Sequence, residues 1–178
     1  MTEGILTLGD LVEQFDIFRH YDKLIAYVGM EDVNTEPFTK EPVRFDCFMV
    51  VLVNRGEMRL FITYEERRVI AGDLLLLTPR TLIFLIAKSD DFSGVCIFLD
   101  PMVFSHSILS RIGQRPMPFT VNQSQLLLIS LDKQNHEALL HTMLALSRHI
   151  VLPGAHQEKI LSSLADAIIF QMLDRLLG

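Results

Sequence analysis

The chain has 178 residues, of which 49% are hydrophobic and 21% charged, a composition that suits one domain with a sizeable core and excludes a disordered tail. Its formal net charge is −6, so the sequence lacks the basic surplus with which proteins neutralise nucleic-acid phosphates. The mean hydropathy is +0.31, yet no apolar run approaches the ~20 residues of a membrane-spanning helix, and no basic segment opens a signal peptide. We therefore expect a cytoplasmic protein with no membrane partner.

Residues 1–100 predict a mainly β structure that follows one leading helix at residues 7–15. Short apolar or alternating runs, separated by turns, predict strands at residues 24–28, 45–53, 58–63, 67–70, 74–77, 82–86 and 95–99. Strands this short and this regularly spaced are typical of a small barrel or sandwich.

After residue 100 the apolar residues recur every three or four positions, which predicts helices instead of strands. Three helices are expected: one at residues 102–112, one that Asn122 or Ser124 caps and that runs to about residue 151, and one at residues 155–177. We therefore divide the chain into a β region, residues 1–100, and a helical region, residues 101–178, that packs on it.

No catalytic or metal-binding pattern is present in the sequence. His136 and His141 flank a glutamate-containing stretch, but they are five residues apart and point to different sides of a straight helix, so one metal ion cannot reach both. Cys47 and Cys96 lack the spacing of a zinc or redox pair. Glycine-rich phosphate loops and nucleophile motifs are also missing. We expect no catalytic residue, no metal and no cofactor, and hence not an enzyme.

One stretch of the β region resembles a known family. The segment from Pro42 to Gly56, followed by the Ala71-Gly72-Asp73 turn, an apolar run and Pro79, is similar to the N-terminal cupin domain of AraC/XylS-type transcription regulators. The resemblance implies a mainly β fold with C-terminal helices, namely a cupin-like barrel (a double-stranded β-helix or jelly roll) followed by an antiparallel helix pair. It also implies an effector-binding and dimerisation role.

The sequence departs from that family at the positions that would bind metal. Where the family has two histidines, a carboxylate and a third histidine, this chain has Val43, Phe45, Met49 and Ile83. Hydrocarbon side chains offer no lone pair to a metal ion, so a metal-dependent cupin enzyme is not expected. An apolar barrel interior remains, which is either filled by its own side chains or open to a small apolar ligand.

The lining of that interior follows from strand parity, since residues two apart share a face. If the resemblance holds, the inward face of the second predicted strand and of the residues just before it contains Val43, Phe45, Cys47, Met49, Val51 and Val53. The candidate ligand-binding residues are Val43, Phe45, Met49, Met58, Leu60 and Ile83. These residues could equally be core and nothing more, and the sequence leaves both interpretations open.

The last helix carries an apolar stripe that includes Leu161, Leu164, Ile168 and Met172. Such a stripe usually packs within its own chain. The resemblance adds a homodimer formed through this region, and the spacing of the four residues is close to that of a coiled coil. We therefore take these four residues as the candidate dimer interface.

The leading hypothesis is the sensor and dimerisation domain of an AraC-type regulator. A small-molecule effector would control DNA binding, and DNA would be contacted only by a helix-turn-helix domain beyond residue 178, which is absent from this sequence. The alternative is a stand-alone, metal-free cupin protein that binds a small apolar molecule. A cupin enzyme with an unusual metal site, or with no metal site, is a third possibility.

Overall fold

The computed structural model describes residues 4–103 and 126–177. Its strands are β1 (Ile5–Leu6), β2 (Arg19–Tyr21), β3 (Ile25–Gly29), β4 (Val43–Phe45), β5 (Phe48–Arg55), β6 (Glu57–Ile62), β7 (Glu65–Ile70), β8 (Asp73–Leu77), β9 (Leu82–Lys88), β10 (Ser93–Leu99) and β11 (Leu126–Ser130). Its helices are α1 (Leu8–Gln14), α2 (Pro37–Lys40), α3 (Lys133–Ile150) and α4 (Gln157–Leu177), with a short 3-10 turn at Met30–Asp32.

The strands form two facing sheets. Sheet A has the order β1-β4-β9-β6-β7, and sheet B has the order β11-β8-β5-β10-β3-β2. Neighbouring strands are antiparallel, except that β1 pairs with β4 in parallel. From β3 to β10 the chain passes back and forth between the sheets. Both sheets are open, so hydrogen bonding among the described strands does not close a barrel.

The central strands of sheet B are buried on both faces. Every residue of β8 and of β10 is buried, as are residues 50–53 of β5. In β5, Val51 and Val53 point into the space between the sheets, whereas Val50 and Leu52 point to the opposite face. Near-continuous apolar runs are typical of strands covered on both sides. Sheet A covers one face, and α3 and α4 cover the other.

Helices α3 and α4 form an antiparallel pair on sheet B. Near the start of α4, the Gln157 Nε2 donates to the carbonyl oxygens of His149 and Ile150 at 3.1 and 3.0 Å. Further along, the Gln171 Nε2 donates to the Thr142 Oγ1 at 3.2 Å. The residue nearer the C-terminus of α4 thus contacts the residue nearer the N-terminus of α3, so the two helices are antiparallel. The predicted antiparallel helix pair is therefore present.

The sequence prediction placed the start of the first long helix too early. Leu126–Ser130 is a strand that pairs with β8 at the edge of sheet B, and α3 begins only at Lys133, where the Asp132 carboxylate accepts from the Asn135 amide at 2.8 Å. Five consecutive residues without a clear period fit a strand or a helix equally well. Pairing with β8, whose residues 74–77 are all leucine, decides in favour of the strand. Asn122, Ser124 and residues 104–112 of the first predicted helix lie outside the described residues.

The remaining elements agree with the sequence, apart from small differences. Thr7 caps α1 by accepting from the Asp10 amide at 3.1 Å, and the Asp10 side chain accepts from the Thr7 amide at 2.9 Å. The predicted strand at residues 45–53 is two strands, because the chain crosses from sheet A to sheet B at Asp46 and Cys47. The short strands β1 and β2 were missed, since runs of two and three residues carry no measurable period.

The turn between β5 and β6 requires glycine at position 56. Its φ is +74°, a backbone conformation that side chains disfavour. A Cβ there would collide with the Ser89 hydroxyl and would lie 2.9 Å from the Phe92 Cα, which is backbone and cannot rotate away. Glycine therefore permits the close approach of this turn to the loop before β10.

We expect Gly56→Ala to lower the free energy of unfolding by about 1–3 kcal/mol, because it adds both backbone strain and a steric collision. Gly154→Ala is the matched control, since a Cβ at Gly154 meets no atom within 4 Å. That control should change stability by less than about 0.5 kcal/mol. Urea denaturation of the two variants measures the difference, and equal stabilities would contradict the structural role of Gly56.

Candidate functional site

An apolar cavity of about 70 Å³ lies between the two sheets. Sheet A contributes Met58 and Leu60 from β6 and Ile83 and Leu85 from β9, and sheet B contributes residues of β3, β5, β8 and β10. The wall exposes only apolar surface to the cavity. Such a cavity favours a neutral, apolar occupant, because it offers no hydrogen bond to replace those a polar group loses on leaving water.

Five of the six residues predicted to bind a ligand line this cavity: Phe45, Met49, Met58, Leu60 and Ile83. Val43 does not line it, but packs from β4 against the hydrophobic cluster between the two sheets. The parity argument therefore placed the six side chains on the correct face of their strands.

The rest of the wall comes from positions that the sequence prediction missed. α1 and the chain after it provide Leu11, Phe15 and Ile17, and the connection from β3 to β4, with its short 3-10 turn and helix α2, provides four more: Met30, Val33, Thr35 and Phe38. Elements this short and irregular backbone show no side-chain period, so their inward residues cannot be read from spacing. Cys96 and Phe98 of β10 also line the cavity, and strand parity would have identified them.

Four phenylalanine rings run in series along this part of the wall. The rings of Phe15 and Phe38 stack with centroids 4.9 Å apart, and Phe38 meets Phe45 edge-on at 5.9 Å. Phe45 in turn meets Phe98 edge-on at 5.8 Å. The series connects α1 and α2 with both sheets, so movement of one ring affects the packing of the next.

A second concavity lies outside the sandwich, between the chain after α1, the 3-10 turn and α3. It is a groove of about 510 Å³ with mixed lining, including Arg19, Tyr27, Glu31, Asp32 and Arg148. Phe15, Ile17, Val28 and Val33 line both the groove and the cavity. The groove is larger than the cavity, but its lining includes charged side chains that are exposed to water. It therefore lacks the apolar wall that favours an apolar ligand.

Within the described residues, no three His, Cys, Asp or Glu side chains come together as a possible metal site. The His136 Nε2 lies 3.1 Å from the Val53 carbonyl oxygen. This contact ties the start of α3 to sheet B.

The four residues of the predicted dimer interface lie in the core of this chain. Leu161, Ile168 and Met172 are at most 2% exposed and belong to the hydrophobic cluster between sheet B and the helices α3 and α4. Leu164 is partly buried and packs against that cluster. Their burial is accounted for by sheet B and α3 without a second copy. A dimer that used these side chains would require α4 to leave the sheet.

No helix within the described ranges is long and apolar enough to cross a membrane. Comparison with known proteins gives a likeness of fold only. No family model matches the chain, and no curated protein does.

Among solved structures, the apo form of a ToxT variant from Vibrio cholerae strain SCE256 is similar, with a TM-score of 0.55 and 15% identity over 86% of this chain and 57% of that one. Wild-type ToxT of the same strain with a bound unsaturated fatty acid gives 0.46 and 14%, covering 88% and 55%. The AraC-like transcriptional activator CuxR gives 0.40 and 8%, covering 83% and 49%. The chain thus spans about half the length of these proteins, and the first comparison shows a shared fold.

Burial raises the pKa of the Cys47 thiol and of the Cys96 thiol. Only the thiolate reacts readily with alkylating reagents, so we expect iodoacetamide to modify the folded protein far more slowly than the urea-unfolded protein. The rate for the folded protein should keep rising above pH ~8.5, where the rate of an ordinary thiol begins to level off. Mass spectrometry over a pH series measures both rates, and equal rates in the folded and unfolded protein would contradict the burial.

Proposed function

We propose that this chain is the effector-binding domain of an AraC-type transcription regulator and that its effector is a small, uncharged, apolar molecule. The observation that carries the proposal is the cavity between the sheets, whose wall exposes no polar surface. Sensor domains need a site that small molecules can enter, and this apolar space has the chemistry of a ligand site and not of a catalytic one.

The physical basis of the selectivity is desolvation. Each Å² of apolar surface that the ligand removes from water contributes about 25 cal/mol, whereas a buried hydroxyl or amide without a partner costs roughly 1–3 kcal/mol. The cavity of about 70 Å³ is small, so a ligand of more than a few heavy atoms needs neighbouring side chains to move. Met30, Met49 and Met58 line it, and unbranched thioether chains change shape easily.

Two kinds of observation support the regulator assignment. The motif residues Asp46, Gly72, Asp73 and Pro79 are similar to those of the AraC-type cupin domain. Strands that pass back and forth between two sheets, followed by an antiparallel helix pair, support a cupin-like jelly roll. In this proposal the domain acts as a homodimer, and a helix-turn-helix domain beyond residue 178 contacts the DNA.

The alternative is a stand-alone, metal-free cupin protein that carries or sequesters an apolar molecule, since the same cavity serves that purpose. The reading frame of the parent gene distinguishes the two functions. The regulator proposal predicts about one hundred further residues with two helix-turn-helix patterns. A stop codon directly after residue 178 would contradict it and favour the carrier.

For the cavity itself we use the neutral, apolar fluorophore N-phenyl-1-naphthylamine as a probe. This molecule is larger than the empty space and enters only when the flexible methionine side chains of the wall move. We expect it to bind the folded protein with one-to-one stoichiometry and increased fluorescence. Leu60→Phe fills part of the cavity and should weaken binding by about tenfold, equivalent to about 1.4 kcal/mol, because the larger ring occupies the space that the probe needs.

Leu152→Phe is the matched control, because Leu152 is 54% exposed in the loop between the helices and does not line the cavity. Its affinity for the probe should equal that of the wild type. Thermal unfolding of both variants verifies that they are folded. Undetectable binding to the wild type, or equal affinities for both variants, would overturn the assignment of the cavity as the ligand site.

A further inference from the structure

The chain between α1 and β3 touches both the cavity and the helix pair. Phe15 and Ile17 line the cavity, and only two residues later the side chain of Arg19 reaches α3. We propose that residues 15–19 transmit the occupancy of the cavity to α3, with Arg19 as the positioning residue that couples them. This inference rests on the proposed function, because it concerns the consequence of ligand binding at the same cavity.

The contact between Arg19 and α3 is specific. The Arg19 Nη1 donates to the Ser147 carbonyl oxygen at 3.2 Å and is 3.1 Å from the Ser147 Oγ. Ser147 is only 3% exposed, and its hydroxyl donates to the Leu144 carbonyl oxygen at 2.7 Å. Hydrogen bonds from a guanidinium group to buried acceptors are stronger than neutral ones. A displacement of Arg19 therefore directly changes a hydrogen bond to the backbone of α3.

The backbone of the segment is constrained, so its ends move together. Asp16 has a φ of +51°, and the Ile17 amide donates to the Val12 carbonyl oxygen at 3.0 Å. Arg19 pairs with Tyr27 of β3, and its guanidinium carbon lies 6.0 Å from the centre of the Tyr27 ring. A ligand that pushes Phe15 or Ile17 outward thus moves a short, stiff connection rather than a free loop.

The segment as a whole has space to move. β2 is a three-residue strand at the edge of sheet B, and elements with few packed neighbours open at low cost in free energy. The groove of about 510 Å³ lies on its outer side and shares Phe15 and Ile17 with the cavity. If these two side chains move outward, they enter the groove, where no packed core blocks them.

The test uses N-phenyl-1-naphthylamine and hydrogen exchange measured by mass spectrometry. In the wild type, we expect the probe to change exchange in peptides from β6 and β9, which line the cavity, and also in the part of α3 around Ser147. In Arg19→Met, the change in β6 and β9 should persist and the change in α3 should be lost. Coupling is reciprocal, so Arg19→Met should also alter the affinity for the probe, by about fivefold or more, although Arg19 does not line the cavity.

Arg59→Met is the matched control, since Arg59 is an exposed arginine paired with Glu66 at 3.0 Å on sheet A. It should leave both the affinity and the α3 response unchanged. Should Arg19→Met fail to fold, Arg19→Lys keeps the charge and the stem but cannot reproduce the planar guanidinium contact, and the same loss is expected.

An α3 response that survives in the Arg19 variants, or is missing from the wild type while β6 and β9 respond, overturns the coupling and leaves the cavity assignment intact. Absence of any response in β6 and β9 of the wild type instead overturns the proposed function, and the coupling with it.

Discussion

The burial of sheet B on both faces is the constraint on which the rest of the structure depends. β8 and β10 contain no exposed residue, so each face of the sheet must be covered by another layer. Sheet A and the two long helices provide these layers. The hydrophobic residues divide accordingly into two clusters on opposite sides of the same strands.

The two covers leave spaces of different chemistry beside sheet B, since the concavity on the helix side, of about 100 Å³, has a partly polar lining that includes Gln171, Asp174 and Arg175. On the helix side, the apolar stripe of α4 packs directly on the sheet, and its residues Leu161 and Ile168 are almost completely buried. On the other side, sheet A leaves the apolar cavity, which α1 and the segment around Phe38 help to enclose. Because the apolar stripe of α4 is packed on sheet B, it cannot also contact a second copy unless α4 moves. The cavity, by contrast, remains available to a ligand.

Sequence reasoning succeeded where one physical pattern dominates. Alternation along β6 gave the inward side chains Met58 and Leu60, and the leading helix predicted at residues 7–15 is α1. It failed where tertiary contacts decide: β11 is a strand because β8 pairs with it, and Met30 and Phe38 reach the cavity from a 3-10 turn and a four-residue helix that are too short to show a period. The apolar stripe of α4 was correctly found, but spacing alone cannot say which partner a stripe packs against.

The central claim is that the cavity between the sheets binds an apolar molecule, and the methionine methyl groups report on it directly. Met30, Met49 and Met58 line the cavity, whereas Met143 and Met172 lie in the cluster beneath the helices. We would record methyl NMR spectra of protein labelled with carbon-13 at methionine during titration with N-phenyl-1-naphthylamine. The account predicts large shifts for Met30, Met49 and Met58 and the smallest for Met143 and Met172. Shifts that are largest at Met143 and Met172, or no shift at the first three, would contradict it.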